Sequence, residues 1–473
     1  QESYPGLIPV GPAGLYHVVR ASLNVCVPEY PSQHRGKYGI RYWYNRARGT
    51  VVSRCVEKMK INSPAFTSYL PVVLSLGLLF TGVEFALSIL SIALLLVYLL
   101  VTDRNETVKK IVIASFLVRV GVAFVDHYGY LTHYGWDEYF PIAMQIKNNL
   151  VRGYPLLANV TDSIHGVAYG VFCSFIYYLF GDHQIIMRMV NCFLGTLVAD
   201  RVYRISLRLT GDHASSVLAA GITAFYPSFI IYCALDMRDA MIFFLTADML
   251  YRISLLLHRK RGKDLALFAL EVAALYFLRT QYLLLFTMVA LIYLFVRSNL
   301  FQSRLQRLAI SLLLLGLVWT GYQVLQQRDY FPVLFKYMNA DLAYRTAGGS
   351  AYLVGVQYET WWDVIRWTPV RMIHFAFGPF LWSVRNVFML LGSIESLLLL
   401  FIILAAFSKR ARQLYSQNPK LYMVLFLFAV IGLLSSAMID SNYGTALRHK
   451  MNFIFIFFIF GAATIKSVKI RIV

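Results

Sequence analysis

The chain has 473 residues, 58% of them hydrophobic and 15% aromatic, with a mean hydropathy of +0.59 and a formal net charge of +20. Soluble globular domains carry about a quarter charged residues, against 14% here, so the composition excludes a soluble enzyme and indicates a polytopic membrane protein. The basic surplus is no nucleic-acid footprint, because no basic patch on a soluble fold and no binding motif is visible. Instead the Lys and Arg residues fall between apolar runs, as cytoplasmic loops require.

Residues 1–66 hold no charged-then-apolar leader pattern and carry a basic run (Arg41, Arg46, Arg48, Arg54, Lys58, Lys60) before the first apolar stretch. They are expected to form a cytoplasmic cap or interfacial tail held near anionic lipid. The five cysteines, at 26, 55, 173, 192 and 233, form no CxxC pair and no zinc spacing, so neither a disulfide framework nor a zinc site is expected.

Apolar runs of bilayer length occur near 67–82, 84–102, 108–125, 186–206, 214–232, 239–257, 264–279, 282–297, 307–326, 387–407, 421–438 and 451–467, with a thirteenth at 165–181. The basic clusters at 258–263, 297–307 and 409–420, the basic stretch before residue 67 and Lys109–Lys110 belong on the cytoplasmic side by the positive-inside rule. The helix 108–125 then runs outward and delivers Asp126 and Asp137 outside. From there to the basic loop at 258 the chain must cross an odd number of times, yet four runs are available. Letting 165–181 cross would put Arg201, Arg204 and Arg208 outside, so this run is expected to be interfacial or re-entrant.

The expected organisation is an all-α polytopic bundle of about 12 crossings with both termini inside. Residues 1–66 form the basic segment, 67–107 two extra helices, and 108–326 the core with a long first external loop, 126–185. That loop carries an amphipathic piece near 139–152. Residues 327–386, rich in Tyr and Trp, form a second external loop, and 387–473 the last transmembrane helices.

Ionisable groups at a membrane boundary are costly unless solvated or paired, so the acids of "DHYGYLTHYGWDEYF" (126–140) call for an explanation. Any one of Asp126, Asp137 and Glu138 reads equally as an aqueous loop residue. As a set they suit general-base chemistry, with Asp137 the preferred base: an apolar wall raises a carboxylate's proton affinity and a nearby cation lowers it. With His133, Asp137 and Glu138 also offer oxygen and imidazole ligands for a divalent ion such as Mg or Mn, at a spacing that matches no standard zinc motif. Trp136 and Asp126 are expected among the substrate-binding residues, and the aromatics of 327–386 suit either stacking on a sugar ring or an interfacial belt.

Arginines stand at the outer helix ends, where the charge rule predicts few: Arg188, Arg238, Arg279 and Arg448, with Arg345, Arg366, Arg371 and Arg385 in the second loop. Head-group anchoring explains each singly, whereas several at one depth would form a phosphate site. Asp239 follows Arg238 at a helix start, where an acid is either a cap favoured by the helix dipole or a catalytic partner.

These pieces resemble the GT-C superfamily of polyprenyl-phosphate-dependent glycosyltransferases, the class of protein O-mannosyltransferases and lipid A aminoarabinose transferases. The resemblance rests on "GWDEYFPIAMQIKNNLVRGYP" (135–155), "YYLFGDHQIIMRMVNCFLGTLVADRVYRISLRLTG" (177–211), "FYPSFIIYCALDMRDAMIFFL" (225–245) and "NYGTALRHKMNFIFIFFIFGAA" (442–463). It implies that Asp137 takes the place of the family's acidic base, that the donor is a polyprenyl-phosphate sugar, and that transfer inverts the anomeric centre. Acceptors would be a glycan, lipid or protein hydroxyl. The chain departs from the family in the 107 residues that precede the core and in having no large soluble C-terminal domain, which argues against oligosaccharyltransferase and arabinosyltransferase types.

Two other functions fit the same pattern less well. An O-antigen polymerase or ligase would use external arginines on lipid-pyrophosphate-linked glycans and would make a product ladder. A lipid-linked sugar transporter or flippase would place its polar groups near the midplane and often show inverted repeats, which are absent here. The resemblance of 442–463 points to a bacterial inner membrane with the site facing the periplasm. An endoplasmic reticulum location is the alternative, in which case Asn159–Val160–Thr161 would be a glycosylation sequon.

Overall fold

The computed structural model describes residues 105–129, 139–161, 164–257, 262–297, 330–346 and 348–465. The described residues are helical, and their one β-pairing is an isolated antiparallel bridge between Ala351 and Asn442. The expected helices at 67–82, 84–102 and 307–326 lie outside the described residues.

Helix α1 (Glu106–Gly129) buries Val108, Val112, Phe116, Val120 and Ala123 along one side and ends near Asp126. The amphipathic piece is α2 (Tyr139–Arg152), which buries Tyr139, Ala143 and Ile146, a four-then-three spacing that keeps them on one face. It packs on α3 (Ile164–Phe180), the run expected not to cross. Helix α4 (Gln184–Thr210) is the hub of this half, packed against α1, α5 (His213–Phe225) and α7 (Asp239–Leu256). It stops at Gly211, whose left-handed φ of 66° lets its N–H reach Leu207 O.

The run 214–232, expected as one crossing, is instead two helices bent by 53°, α5 and α6 (Pro227–Ala234). Pro227 supplies no N–H to continue α5 and forces Tyr226 into extended backbone. Helices α8 (Gly262–Leu278) and α9 (Gln281–Arg297) follow α7, and α10 (Tyr330–Thr346) and α11 (Trp361–Phe377) occupy the second loop. A capping box between Thr360 and Asp363 opens α11.

Among the described residues, three helices are long and apolar enough to cross a membrane: α12 (Val387–Ala406), α14 (Pro419–Ile439) and α15 (Tyr443–Ile465), or four if the bent α5–α6 pair is one span. Between α12 and α14 runs the short α13 (Lys409–Gln417). Their two environments differ. Helix α15 is buried on every side from Met451 to Ala462, as a helix apolar all round must be, whereas α12 exposes Leu390, Ile394, Leu397, Leu398, Phe401 and Leu404. An apolar stripe of that extent facing outward suits contact with lipid, and with three helices of spanning length it marks an integral membrane protein.

At the N-terminal end of α15 the chain also meets α11, α12 and α14. This end of α15 and the start of α7 come together to form the site.

Candidate functional site

Asp239 is the first residue of α7 and is completely buried, and neither of its carboxylate oxygens makes a capping hydrogen bond to the helix backbone. Its carboxylate faces two arginines from distant helices. Arg448 Nε lies 2.8 Å from Oδ2, and Arg279 Nη2, just past the end of α8, lies 3.9 Å from Oδ1. Arg238 stands beside them, half-buried, with Nη1 donating to Leu278 O at 3.3 Å and Nε without a partner. Three of the four arginines expected at the outer helix ends therefore converge on one acid.

The charge balance at this point is uneven. Among the described residues three guanidinium groups face one carboxylate, an excess of two positive charges, and buried cations without counter-charges are costly. Guanidinium forks match the oxygens of a phosphate, so the chemistry of the arrangement suits an anionic group.

Arg279 is held from behind by a relay. Its Nη2 lies 2.9 Å from His449 Nε2, and His449 Nδ1 lies 2.7 Å from Asp440 Oδ2. A guanidinium only donates, so Nε2 must accept, Nδ1 carries the hydrogen and donates it to Asp440, and the imidazole is neutral. Asp440, in the turn between α14 and α15, also accepts from Arg345 Nη1 at 2.8 Å and Thr445 Oγ1 at 2.9 Å. Burial pushes the Asp440 carboxyl up, but His449, Arg345 and Thr445 together hold it below its usual range. Arg371, expected in the second loop as a further cation, donates instead to Ala437 O, Asp440 O and Ser441 Oγ, which fixes this turn.

Arg188 and Asp126 are paired with each other at 2.6 Å and both buried. They join α4 to α1, and no ion pair between either of them and Asp239 is among those described. Near them the turn 235–238 is pinned to α4 by Asn191, whose amide donates to Leu235 O at 2.7 Å and Met237 O at 2.9 Å. Asp236 in this turn accepts from Tyr177 at 3.2 Å and Tyr169 at 3.4 Å, which ties α3 to the same place. Burial raises the Asp236 carboxyl to about 7, with Arg188 and the two phenols opposing.

Asp137, Glu138, His133 and Trp136 lie outside the described residues. The residue that follows them, Tyr139, is buried, stacks edge-on to Tyr169 with centroids 4.9 Å apart, and faces both Arg238 and Arg448. The chain leaving the acidic loop therefore enters the fold directly at the arginine cluster. No group of three metal-ligating side chains occurs among the described residues.

Sequence reasoning missed Asp236, Asp440 and His449. His449 had a signal, its place beside Arg448 in "ALRHKMN", and Asp440 another, an acid between two apolar spans in "AMIDSNYG". Nothing in the sequence connects either to Arg279.

Residues 165–321, about a third of the chain, match the dolichyl-phosphate-mannose-protein mannosyltransferase family. No curated protein matches the chain. The matched segment contains Arg188, Arg238, Asp239 and Arg279 but neither the acidic loop at 126–138 nor Arg448. The match supports the GT-C resemblance and, with it, a membrane glycosyltransferase of the GT-C kind.

Proposed function

We propose that the protein transfers a sugar from a polyprenyl-phosphate donor to an acceptor hydroxyl on a glycan, lipid or protein, at the extracytoplasmic face of the membrane. The observation that carries this reading is the surplus, among the described residues, of two positive charges where Arg238, Arg279 and Arg448 meet Asp239. A lipid phosphate entering from the outer leaflet supplies the missing negative charge, and the family match supplies the reaction class.

In this mechanism the three arginines hold the donor phosphate, and Asp239 keeps Arg448 and Arg279 oriented toward it. Asp137 takes the proton of the acceptor hydroxyl, whose oxygen attacks the anomeric carbon. The bond from that carbon to the phosphate oxygen breaks, and its electron pair leaves with the lipid phosphate, inverting the anomeric centre. Glu138 orients groups at the site; were a Mg or Mn ion bound, Asp137, Glu138 and His133 would hold it, and it would supply positive charge there. The reading places the site on the periplasmic side of a bacterial inner membrane within a multi-pass bundle of about 12 crossings.

The test is titration of purified protein in nanodiscs with undecaprenyl phosphate and a short-chain prenyl phosphate. Arg238→Ala suits it because Arg238 makes no ion pair with Asp239 among those described, so its loss leaves the Asp239–Arg448 contact in place. Saturable binding weakened at least tenfold by Arg238→Ala and retained by Asp137→Asn, with transfer abolished in the latter, is the expected result. Full turnover by Asp137→Asn removes that residue from the mechanism, and absence of specific binding in the wild type removes the phosphate.

A further inference from the structure

A cavity of about 410 Å³ lies between α6, the head of α12 and the start of α15, next to the arginine cluster. Its volume is within the range of small-molecule sites, about 300–1,000 Å³. Tyr232 connects the two places: it lines the cavity, donates to Gly444 O at 3.0 Å and faces Arg448. Leu447, on the cavity wall, immediately precedes Arg448.

Glu395 lies on the cavity lining and is buried. Oε1 accepts from the Ser228 backbone N–H and Oε2 from Ser228 Oγ, both at 2.5 Å. A carboxylate oxygen has two acceptor positions, so each retains one after serving Ser228. The charge facing Glu395 is that of Lys450, whose ammonium donates to Ala376 O at 3.0 Å and to Gly378 O and Ser396 Oγ at 3.3 Å. These three acceptors match the three donors of an ammonium group. Whichever of Glu395 and Lys450 holds the proton between them, the pair sums to zero charge.

The walls add Tyr443, Tyr232, Ile231 and Leu447. A neutral polyhydroxylated ring suits such a lining, since its hydroxyls donate to a carboxylate while its C–H faces lie on phenol rings and aliphatic side chains. A cationic ring does not, because Lys450 already balances the acid and a second ammonium would add an unpaired charge to a buried space.

We propose that this cavity is a saccharide subsite in which Glu395 accepts from a ring hydroxyl, and that it selects a neutral sugar over an amino sugar. The inference rests on the glycosyltransferase reading only for whether the sugar is the donor's or the acceptor's.

The experiment uses the full chain in nanodiscs, as wild type, Ile231→Phe, which fills the cavity, and Glu395→Gln. The probes are a short prenyl phosphate, the same lipid carrying a neutral hexose, the same lipid carrying an amino-hexose, and a methyl hexoside observed by saturation-transfer NMR. If the donor's sugar occupies the cavity, wild type binds the hexose lipid at least tenfold tighter than both the bare and the amino lipid, and Ile231→Phe removes that gain while leaving the bare lipid unchanged. If the acceptor's sugar occupies it, lipid binding is the same in all variants and the methyl hexoside signal disappears in Ile231→Phe. Equal binding of every sugar probe by wild type and Ile231→Phe, or preference for the amino lipid, overturns the proposal. Failure of the bare lipid to bind wild type overturns the phosphate reading alone, because the hexoside signal still scores the cavity. Should Glu395→Gln not fold, Ile231→Phe decides.

Discussion

Arg448 Nε lies 2.8 Å from Asp239 Oδ2, joining the first residue of α7 to the first turns of α15 in a place where Asp239 has no exposure to solvent. Breaking one side of a buried ion pair leaves the other charge unpaired and costs about 3–5 kcal/mol. Asp239→Asn, which removes the acid that the three guanidinium groups face, is expected to destabilise the protein on that scale; Arg448→Ala, which leaves Asp239 facing Arg279 and Arg238, is expected to cost less, and the double variant much less than the sum. Denaturant unfolding in detergent reads the cycle; strictly additive losses would show that the two side chains do not depend on each other.

His449 contacts Arg279, and in the proposed mechanism it positions that arginine. Its Nε2 accepts from the guanidinium at 2.9 Å while Nδ1 donates to Asp440. His449→Phe removes the acceptor and should lower transfer on the order of tenfold to a hundredfold, the scale of a misplacement of about 1 Å. His449→Gln restores an acceptor oxygen and should recover a good part of the rate. Equal rates in the Phe and Gln variants would leave the relay without a role in turnover.

Asp236 makes stability depend on pH. Burial raises its carboxyl to about 7 in the folded protein, above its ordinary value of 3.8. A raised carboxyl binds its proton more tightly folded than unfolded, so its contribution is fully present below pH 4 and is lost as pH rises through about 7. Wild type should therefore lose more stability between pH 5 and pH 8 than Asp236→Asn does, by up to a few kcal/mol. Thermal unfolding across that interval tests it, and parallel curves for the two proteins would refute the assignment.

A second ionic cluster offers a control away from the site. Asp248 on α7 pairs with Arg201 of α4 and, at 2.7 Å, with Arg252, which also reaches Glu271 of α8 at 2.5 Å. Asp248→Ala should lower the unfolding temperature by removing the acid shared between Arg201 and Arg252, with prenyl-phosphate affinity unchanged. A loss of affinity matching that of Arg238→Ala would mean the two clusters communicate.

Helix contact is set at one point by the lack of a side chain. A Cβ on Gly432 of α14 would fall 2.2 Å from the Phe453 ring of α15. Gly432→Ala is expected to destabilise by about 1–3 kcal/mol, the usual cost of overpacking, despite the gain in helix propensity. Unchanged stability would indicate that α15 yields there freely.

The sequence alone determined the environment and most of the helices. Twenty-residue apolar runs have few ways to satisfy their backbone other than as helices, so α12 and α14 appear where hydropathy puts them, α15 begins before its apolar run, at Tyr443, and α2 is the amphipathic piece expected near 139–152. The run that parity and charge set aside as not crossing is the helix α3, and of the arginines expected at outer helix ends, Arg238, Arg279 and Arg448 come together. Only the tertiary structure decided which partners they meet. Hydropathy treats 214–232 as one span, whereas Pro227 bends it and so sets where the turn carrying Asp236 and Arg238 begins. Arg188 looked like its neighbours in the sequence and is taken by Asp126 instead, while Asp239 looked like a helix cap and is an ion-pair partner. Ion pairs and relays such as Asp440–His449–Arg279 join residues from distant helices, and the short-range patterns that specify helices contain no term for which helix ends will meet.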